Sequence, residues 1–426
     1  MAGVNIDNVG LTFTRFLDGV VETLNHTSKA RSLVRQDDKW TGSHIEGRLH
    51  TARSTAIGYV EDGGAFPVPD KQDYATYKAY RKFTVGSVQI TDGAMATAAK
   101  SPNVARDVVT SEVKGLMNNI LKFENGFFFR DGSGVVAQFV EGDPSSQTTT
   151  EVDDSRMLWD GGTYEVRDNS NIGLSTNTKH GTGSVTSVAS ALTSAGNSSV
   201  TFGSALPSGL ATGASGDYLV WNGSHSKAIT GLDKLIDDTT SGFPLDPDGQ
   251  TVFQGVTMAS YPRYTSMVLD NSGTNRDLTP SLFRQMLAGI MQKSGSERPA
   301  DGLTVLCDSW QAVNVEELYE GELRLTPESK VGGMAVAAFQ SSLGRIDIVV
   351  DTDCLMNTMF FCDFSKIYRA VQKQLGWRRE GGSIFKRSDV SGVYTATAIE
   401  IAEMYIKERH TSGKLQDLNH NRSTPY

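Results

Sequence analysis

Between His44 and Asn125 the pattern of apolar and polar positions changes from the period of a strand to that of a helix. Thr, Val, Tyr, Phe and Ile recur in partial alternation along Ile45–Tyr59 and again along Tyr74–Thr91, which predicts two strand arms. Glu61-Asp62-Gly63-Gly64-Ala65-Phe66-Pro67-Val68-Pro69-Asp70 separates them as a turn-rich tip. At about 3.3 Å per residue the arms make a ribbon on the order of 50 Å long. A lone two-stranded ribbon is marginal in water, so it must lie on another surface, and a further copy of the chain supplies one. Ser101-Pro102-Asn103 then opens a helix, with a hydroxyl cap and Pro at the first position. Val104, Val108, Val109, Val113, Leu116, Ile120 and Phe123 form a one-sided stripe along it, over roughly 35 Å at 1.5 Å per residue, and Gly126 is its expected stop.

Elsewhere the pattern is shorter. Phe13, Phe16, Leu17, Val20, Val21 and Leu24 give Leu11–His26 a narrow amphipathic stripe, followed by a charged link from Arg31 to Lys39. Such a helix docks on another element or subunit, or packs on its own domain; the sequence leaves both open. Glu141–Asp154 is polar and turn-rich, an expected boundary. Ser170–Asn222 is dominated by Ser, Thr, Gly and Asn around short strands at Gly183–Ala189, Ser198–Phe202 and Asp217–Val220. It reads as a β-rich insertion, with a flexible linker as the alternative. Mixed α/β follows from Gly231. Thr279-Pro280 opens a helix closed near Gly295, Leu303–Cys307 is a buried strand, and Asp308 caps a helix carrying Trp310, Val313 and Leu318 in its apolar pattern. Ile346–Val350 and Thr358–Cys362 are further strands, and the alternation around Thr395–Met404 predicts one long strand, with helix as the competing reading.

Composition narrows the function. With 426 residues, 38% hydrophobic and 21% charged, the chain has the make-up of an ordinary globular protein with room for two or three domains. A formal charge of −9 argues against gripping nucleic acid over the whole surface, and suits a wall that must not adhere to a nearby polyanion. Cys307, Cys354 and Cys362 have no paired spacing, so a disulfide scaffold is not expected. No signal-peptide core and no apolar run long enough to span a bilayer is present, so no membrane role is expected.

Catalytic, cofactor-binding and metal motifs are not found. No Gly-rich loop ends in Gly-Lys-Ser/Thr, and Gly181-Thr182-Gly183 lacks the third glycine of a dinucleotide turn. Ser224-His225-Ser226-Lys227 has the Ser-x-x-Lys spacing of penicillin-recognising enzymes without its companion motifs, in a turn-rich context. Asp351-Thr352-Asp353 hints at a cation loop, but Met356 and Cys362 stand where calcium loops need Gly and Glu, so a strand-end turn is expected. Lys71 near the ribbon tip reads as solvated. Arg378-Arg379 and Lys386-Arg387 either face nucleic acid or balance nearby carboxylates.

The order of parts resembles the major capsid protein of tailed bacteriophages, an α+β chain with the Hong Kong 97-type fold. Gly231-Leu232-Asp233-Lys234-Leu235-Ile236-Asp237, Phe253-Gln254-Gly255-Val256 with Tyr261-Pro262, and Thr279–Met291 are similar to successive segments of one capsid group. The chain departs from that group near Thr257–Ser260, where Asp-Arg-Ser is missing, and at Gly344-Arg345-Ile346, which lacks a Pro. The resemblance implies an N-terminal arm at 1–39, an extended β-ribbon loop at 40–84, and a peripheral domain at 85–150 with a spine helix at 102–125. It implies an axial α/β domain at 151–357 holding the β-rich insertion at about 174–230, a return to the peripheral domain at 358–409, and a tail at 410–426.

It also implies a function: a non-enzymatic virion protein, assembled in the host cytoplasm from pentamers and hexamers into an icosahedral shell around packaged double-stranded DNA, without sequence-specific binding. Separate scaffolding, portal and decoration proteins are the expected partners. Some forty residues precede the ribbon, so scaffolding on another protein and no proteolytic maturation are expected. Phe66, Pro67, Pro69, Lys71 and Tyr74 are the candidate intersubunit contacts. The alternatives are an encapsulin-like compartment shell of the same fold, an enzyme with an unrecognised site, and a β-rich adhesin.

Overall fold

The computed structural model describes residues 29–91, 93, 102–141, 144–169, 177–192, 197–211, 216–239, 252–295, 302–319, 329–331, 334–341, 344–379, 384–387 and 392–420. The amphipathic stretch Leu11–His26 lies outside them. The chain enters through helix α1 (Lys29–Leu33), strand β1 (Arg35–Asp37), the ribbon strands β2 (His44–Ala52) and β3 (Asp73–Tyr80), and β4 (Lys82–Thr91). The long helix α2 (Pro102–Phe128) follows. Gly126 does not stop it: its φ is not in the left-handed region that ends helices. Burial of Phe127, Phe128 and Phe129 carries the chain on. Phe127 enters one core and its two neighbours another, so the helix end is a junction.

The β-rich part is a closed six-stranded barrel of β5 (Val135–Glu141), β6 (Thr149–Val152), β7 (Thr163–Arg167), β8 (Lys179–Leu192), β9 (Ser198–Phe202) and β10 (Tyr218–Trp221). The insertion expected at about 174–230 is therefore only its second half. Composition changes to Ser, Thr and Gly after Ser170, but Val136, Phe139, Val152, Tyr164 and Val166, all before it, fill the same core. The expected boundary at Glu141–Asp154 holds a barrel strand, and the linker reading is replaced by antiparallel pairing of β8 with β7 and β9, with the register shifting in each ladder.

Beyond a short helix α3 (Leu232–Leu235), the hairpin β11 (Val252–Phe253) and β12 (Val256–Thr257) and strand β13 (Met267–Leu269) comes α4 (Pro280–Ser294). Its N-cap Thr279 accepts a bond from Leu282 N at 3.3 Å, and Gly295 closes it at φ +66°. Then follow β14 (Leu303–Cys307), α5 (Ser309–Tyr319), β15 (Ser329–Val331), β16 (Met334–Ser341), β17 (Gly344–Val350) and β18 (Met359–Asp363). The chain ends with β19 (Ile367–Trp377), β20 (Phe385–Arg387), β21 (Val393–Ile406) and β22 (Gly413–Leu415). A seven-stranded sheet runs β13-β22-β18-β14-β17-β16-β15. Leu303, Val305 and Cys307 point to one side of it, under α4 and α5, while Leu306 points to the other, as strand alternation requires. On α5 the inward positions are Gln311, Asn314, Val315 and Leu318; Trp310 and Val313, read from sequence as part of the apolar pattern, face outward.

The predicted long strand near the end is β21, which pairs with β19 and β20 along one side and with β4 along the other. Its alternation of Thr and Ile with Ala puts small Ala396 and Ala398 under α2, where Met117 and Ile120 pack. Gly86 serves the same close approach: a Cβ there would lie 2.7 Å from Ile120 Cδ1.

Candidate shell-assembly surface

The ribbon grows from this core. β2 and β3 pair antiparallel from His44↔Tyr80 to Ala52↔Asp73. The paired part spans only about 26 Å at 3.3 Å per residue, half the expected length. Residues 53–72 carry no strand, because Gly58, Gly63, Gly64, Pro67 and Pro69 remove side chains and donors that a ladder needs. The second arm also splits: Tyr74–Tyr80 belongs to the ribbon, but β4 leaves it for β21.

The ribbon base is fixed to its own subunit. Leu49, Tyr77 and Ala79 are buried, Tyr77 stacks on Tyr405 with centroids 5.9 Å apart, and Lys78 N donates to Gln254 O at 2.6 Å. The Tyr77 ring occupies the space a side chain at residue 47 would need, so Gly47 opposite it has none. At the far end a single carboxylate joins the two legs. Asp70 Oδ2 accepts from Thr55 N at 3.3 Å and Thr55 Oγ1 at 2.9 Å, and Ser54 Oγ donates to Asp70 O at 3.1 Å. These donors hold the Asp70 carboxyl below the usual carboxylate range. The tip is thus a shaped loop.

What the loop presents is apolar. Phe66 is 88% exposed and Tyr74 58%, while Pro69 and Lys71 are exposed and Pro67 is half-buried. Ile57, Tyr59, Val60 and Val68, which the sequence reading passed over, are exposed as well. They were legible in principle, since apolar residues among glycines and prolines have no nearby element to pack on. At the ribbon base, Phe83 and Val85 on β4 form a second exposed apolar spot beside Arg81, whose guanidinium lies 5.5 Å from the Phe83 ring centroid.

Behind the ribbon, four buried ionisable side chains tie three layers together. Arg31 of α1 meets Glu124 of α2 at 2.5 Å and Glu400 of β21 at 3.5 Å, and Arg369 of β19 binds Glu400. Burial raises the Glu124 pKa, but Arg31, a hydrogen bond with Glu400 and Arg369 together outweigh that and bring it down to about 2. Burial and then the neighbouring Glu124 push Glu400 up to about 8. At neutral pH Glu400 keeps its proton while Glu124 is ionised, which lets two carboxyls share one dry site.

The remaining motifs dissolve into structure. Asp351 accepts from Ala30 N and Asn125 Nδ2, and Asp353 from Asn125 Nδ2 at 2.6 Å, so this strand-end turn caps α1 and pins α2. Lys227 Nζ donates to Gly223 O in the turn after β10. Among the described residues no three His, Cys, Asp or Glu side chains are placed to hold a metal ion.

Comparison with known proteins bears on this architecture. Residues 204–400, from the end of the barrel to the middle of β21, match the family model described as SU10 major capsid protein. No curated protein matched the sequence. Among solved structures, the capsid asymmetric unit of cyanophage A-1(L) shares 12% identity and a TM-score of 0.50, covering 90% of each chain. The capsid of a native GTA particle gives 7% and 0.46, covering 92% of this chain and 90% of that one. The SrpI encapsulin of Synechococcus elongatus gives 7% and 0.42, covering 94% and 92%. The family match over 204–400, just under half of the chain, and the fold shared with the cyanophage capsid over 90% of it support a shell-forming structural protein, and the chain is similar to tailed-bacteriophage major capsid proteins of the Hong Kong 97 type.

Proposed function

We propose that this subunit closes through pentamers and hexamers into an icosahedral shell around packaged double-stranded DNA, and that the ribbon tip is the part each copy lays on its neighbour. The observation that carries the reading is the exposure of Ile57, Tyr59, Phe66 and Val68 on a loop held in shape by Asp70. A loop that is ordered yet coated with apolar side chains gains its stability from being covered. The tip and the Phe83–Val85 spot lie at opposite ends of one arm, so a tip cannot cover its own base. Tip of one copy on base of the next is a heterologous contact, and heterologous contacts close into rings. Glu61 and Asp62 on the tip face the sign opposite to Arg81 and Lys82 at the base.

In this reading Phe66, Pro67, Pro69, Lys71 and Tyr74 are intersubunit contacts. The ribbon, the α2-supported sheet and the α/β sheet correspond to the extended loop, peripheral and axial domains. Shells form in the host cytoplasm and become the virion capsid, with scaffolding, portal and decoration proteins as separate chains. Deleting Gly63–Asp70 should leave a soluble, folded subunit that forms no closed particles by negative-stain imaging. Normal particles from that deletion would refute the role given to the tip. Nuclease-protected DNA inside particles from infected cells, against a cargo protein, separates a virion shell from an encapsulin-like compartment.

A further inference from the structure

The ribbon accounts for one exposed apolar surface; α5 carries another that it leaves unexplained. Trp310 and Val313, both 43% exposed, stand one turn apart on its outer side, with Glu316 and Glu317 exposed beside them. His420 packs on only part of the Trp310 ring, at 4.5 Å between centroids. On α4 the outer side is a shallow, open depression of about 570 Å³ lined by Pro280, Ser281, Arg284, Gln285 and Ala288. One surface is a knob flanked by carboxylates, the other a hollow that Arg284 helps to line.

We propose, building on the shell reading, that Trp310 and Val313 of one copy seat on the α4 hollow of the adjacent copy, with Glu316 and Glu317 paired to Arg284. Three observations point to a second copy as the occupant. The charges are complementary, and none of Arg284, Glu316 and Glu317 makes an ion pair within its own subunit among the described residues. Both helices cover the same face of the seven-stranded sheet, with Phe283, Met286 and Leu287 on α4 and Val315 and Leu318 on α5 turned into one core. Their outer sides therefore both point away from that sheet, and within one chain the knob cannot reach the hollow. The two surfaces also differ from one another, so the contact runs head to tail and repeats around a ring. A partly exposed Trp beside a hollow with an Arg is the residue pairing that dominates interface energetics elsewhere.

Two experiments on the full chain test this. In assembled particles of the Val313→Cys, Ala288→Cys double variant, a short bis-maleimide should link copies into a ladder of dimers and higher species on denaturing gels. Cys307, Cys354 and Cys362 are buried and contribute little background. Particles that form normally but yield only monomers overturn this contact while leaving the ribbon-mediated shell intact. Absence of particles from the parent chain would instead sink the shell reading itself. In parallel, Arg284→Glu alone, and Glu316→Arg with Glu317→Arg, should each lower the yield of closed particles about tenfold at physiological salt, while their combination restores it. Parental yield from either set alone, or no recovery on combination, overturns the pairing.

Discussion

Replacing Phe66 with Ser removes the largest apolar side chain at the ribbon tip without touching the subunit's own core, since the ring is 88% exposed. Burying a phenylalanine is worth about 1.5–3 kcal/mol, and ordering a side chain at an interface costs about 0.5–1.5 kcal/mol. The net loss per contact is about 1–2 kcal/mol, or about 5- to 30-fold in the contact's equilibrium constant. In the proposed shell each copy lays down one tip and receives one, which gives one such contact per subunit. The concentration at which shells appear should therefore rise by the same factor of about 5–30. A dilution series read by sedimentation or light scattering measures it directly. Thermal unfolding of the unassembled subunit should move by no more than an ordinary surface change, about 0.5 kcal/mol. An unchanged assembly threshold would show that the ring meets no neighbour. A marked fall in subunit stability would show that it works within its own chain.

Two further outcomes concern the frame behind the tip. Met117→Asp puts a charge at a fully buried position between α2 and the β21 sheet, where it has no partner, and should cost several kcal/mol against a typical stability of about 5–15 kcal/mol. Circular dichroism should find the subunit unfolded or insoluble; a folded, soluble variant would contradict the packing. The Glu400 carboxyl has its folded pKa raised to about 8 from 4.5, so its contribution is complete below pH 4.5 and is lost as pH rises through 8. Glu124, held near 2, contributes above 4.5 and loses that as pH falls toward 2. In urea unfolding of the unassembled subunit Glu400 should contribute a weakening of up to about 1.4 kcal/mol per pH unit between pH 5 and 8. It acts beside Glu403 and Asp153, which burial raises to about 7 and about 6, and Glu400→Gln should remove its part only. Equal slopes in both proteins would refute the shared-proton account.

The parts of this fold that show in the sequence are those in which local pattern and tertiary packing agree. The stripe through Leu116 and Ile120, the Thr279-Pro280 start and Gly295 stop of α4, and the alternation of β21 each mark an element by its own residues. The errors arise where tertiary packing overrides local signs. Gly126 has the look of a helix end, but three buried phenylalanines carry the chain past it. The first half of the barrel lacks the composition of the second and is joined to it only by strand pairing. Trp310 and Val313 fit an apolar pattern on paper, yet Gln311 and Asn314 take the inward places because their side-chain amides bond to the carbonyls of Asn419 and Met356. The charge cluster could not be found from sequence, as Arg31, Glu124, Arg369 and Glu400 come from four separate elements.

Exposed apolar residues scattered singly need no cause, whereas clusters do. Among the described residues the large ones gather at three places: the ribbon from Ile57 to Tyr74, its base at Phe83 and Val85, and the outer side of α5. A monomeric protein has no use for this distribution, because none of the three surfaces can cover another within one chain. A ring needs it, since every copy must offer one surface and accept a different one. The frame makes such contacts additive: β4, β21 and α2 hold the ribbon base, and β14 and β17 hold α5, in one continuous packed body. With both proposed contacts made, each copy meets its neighbour at two separated points at once. The second contact forms at the effective concentration set by the first, so two contacts of modest strength close a shell that neither would hold alone.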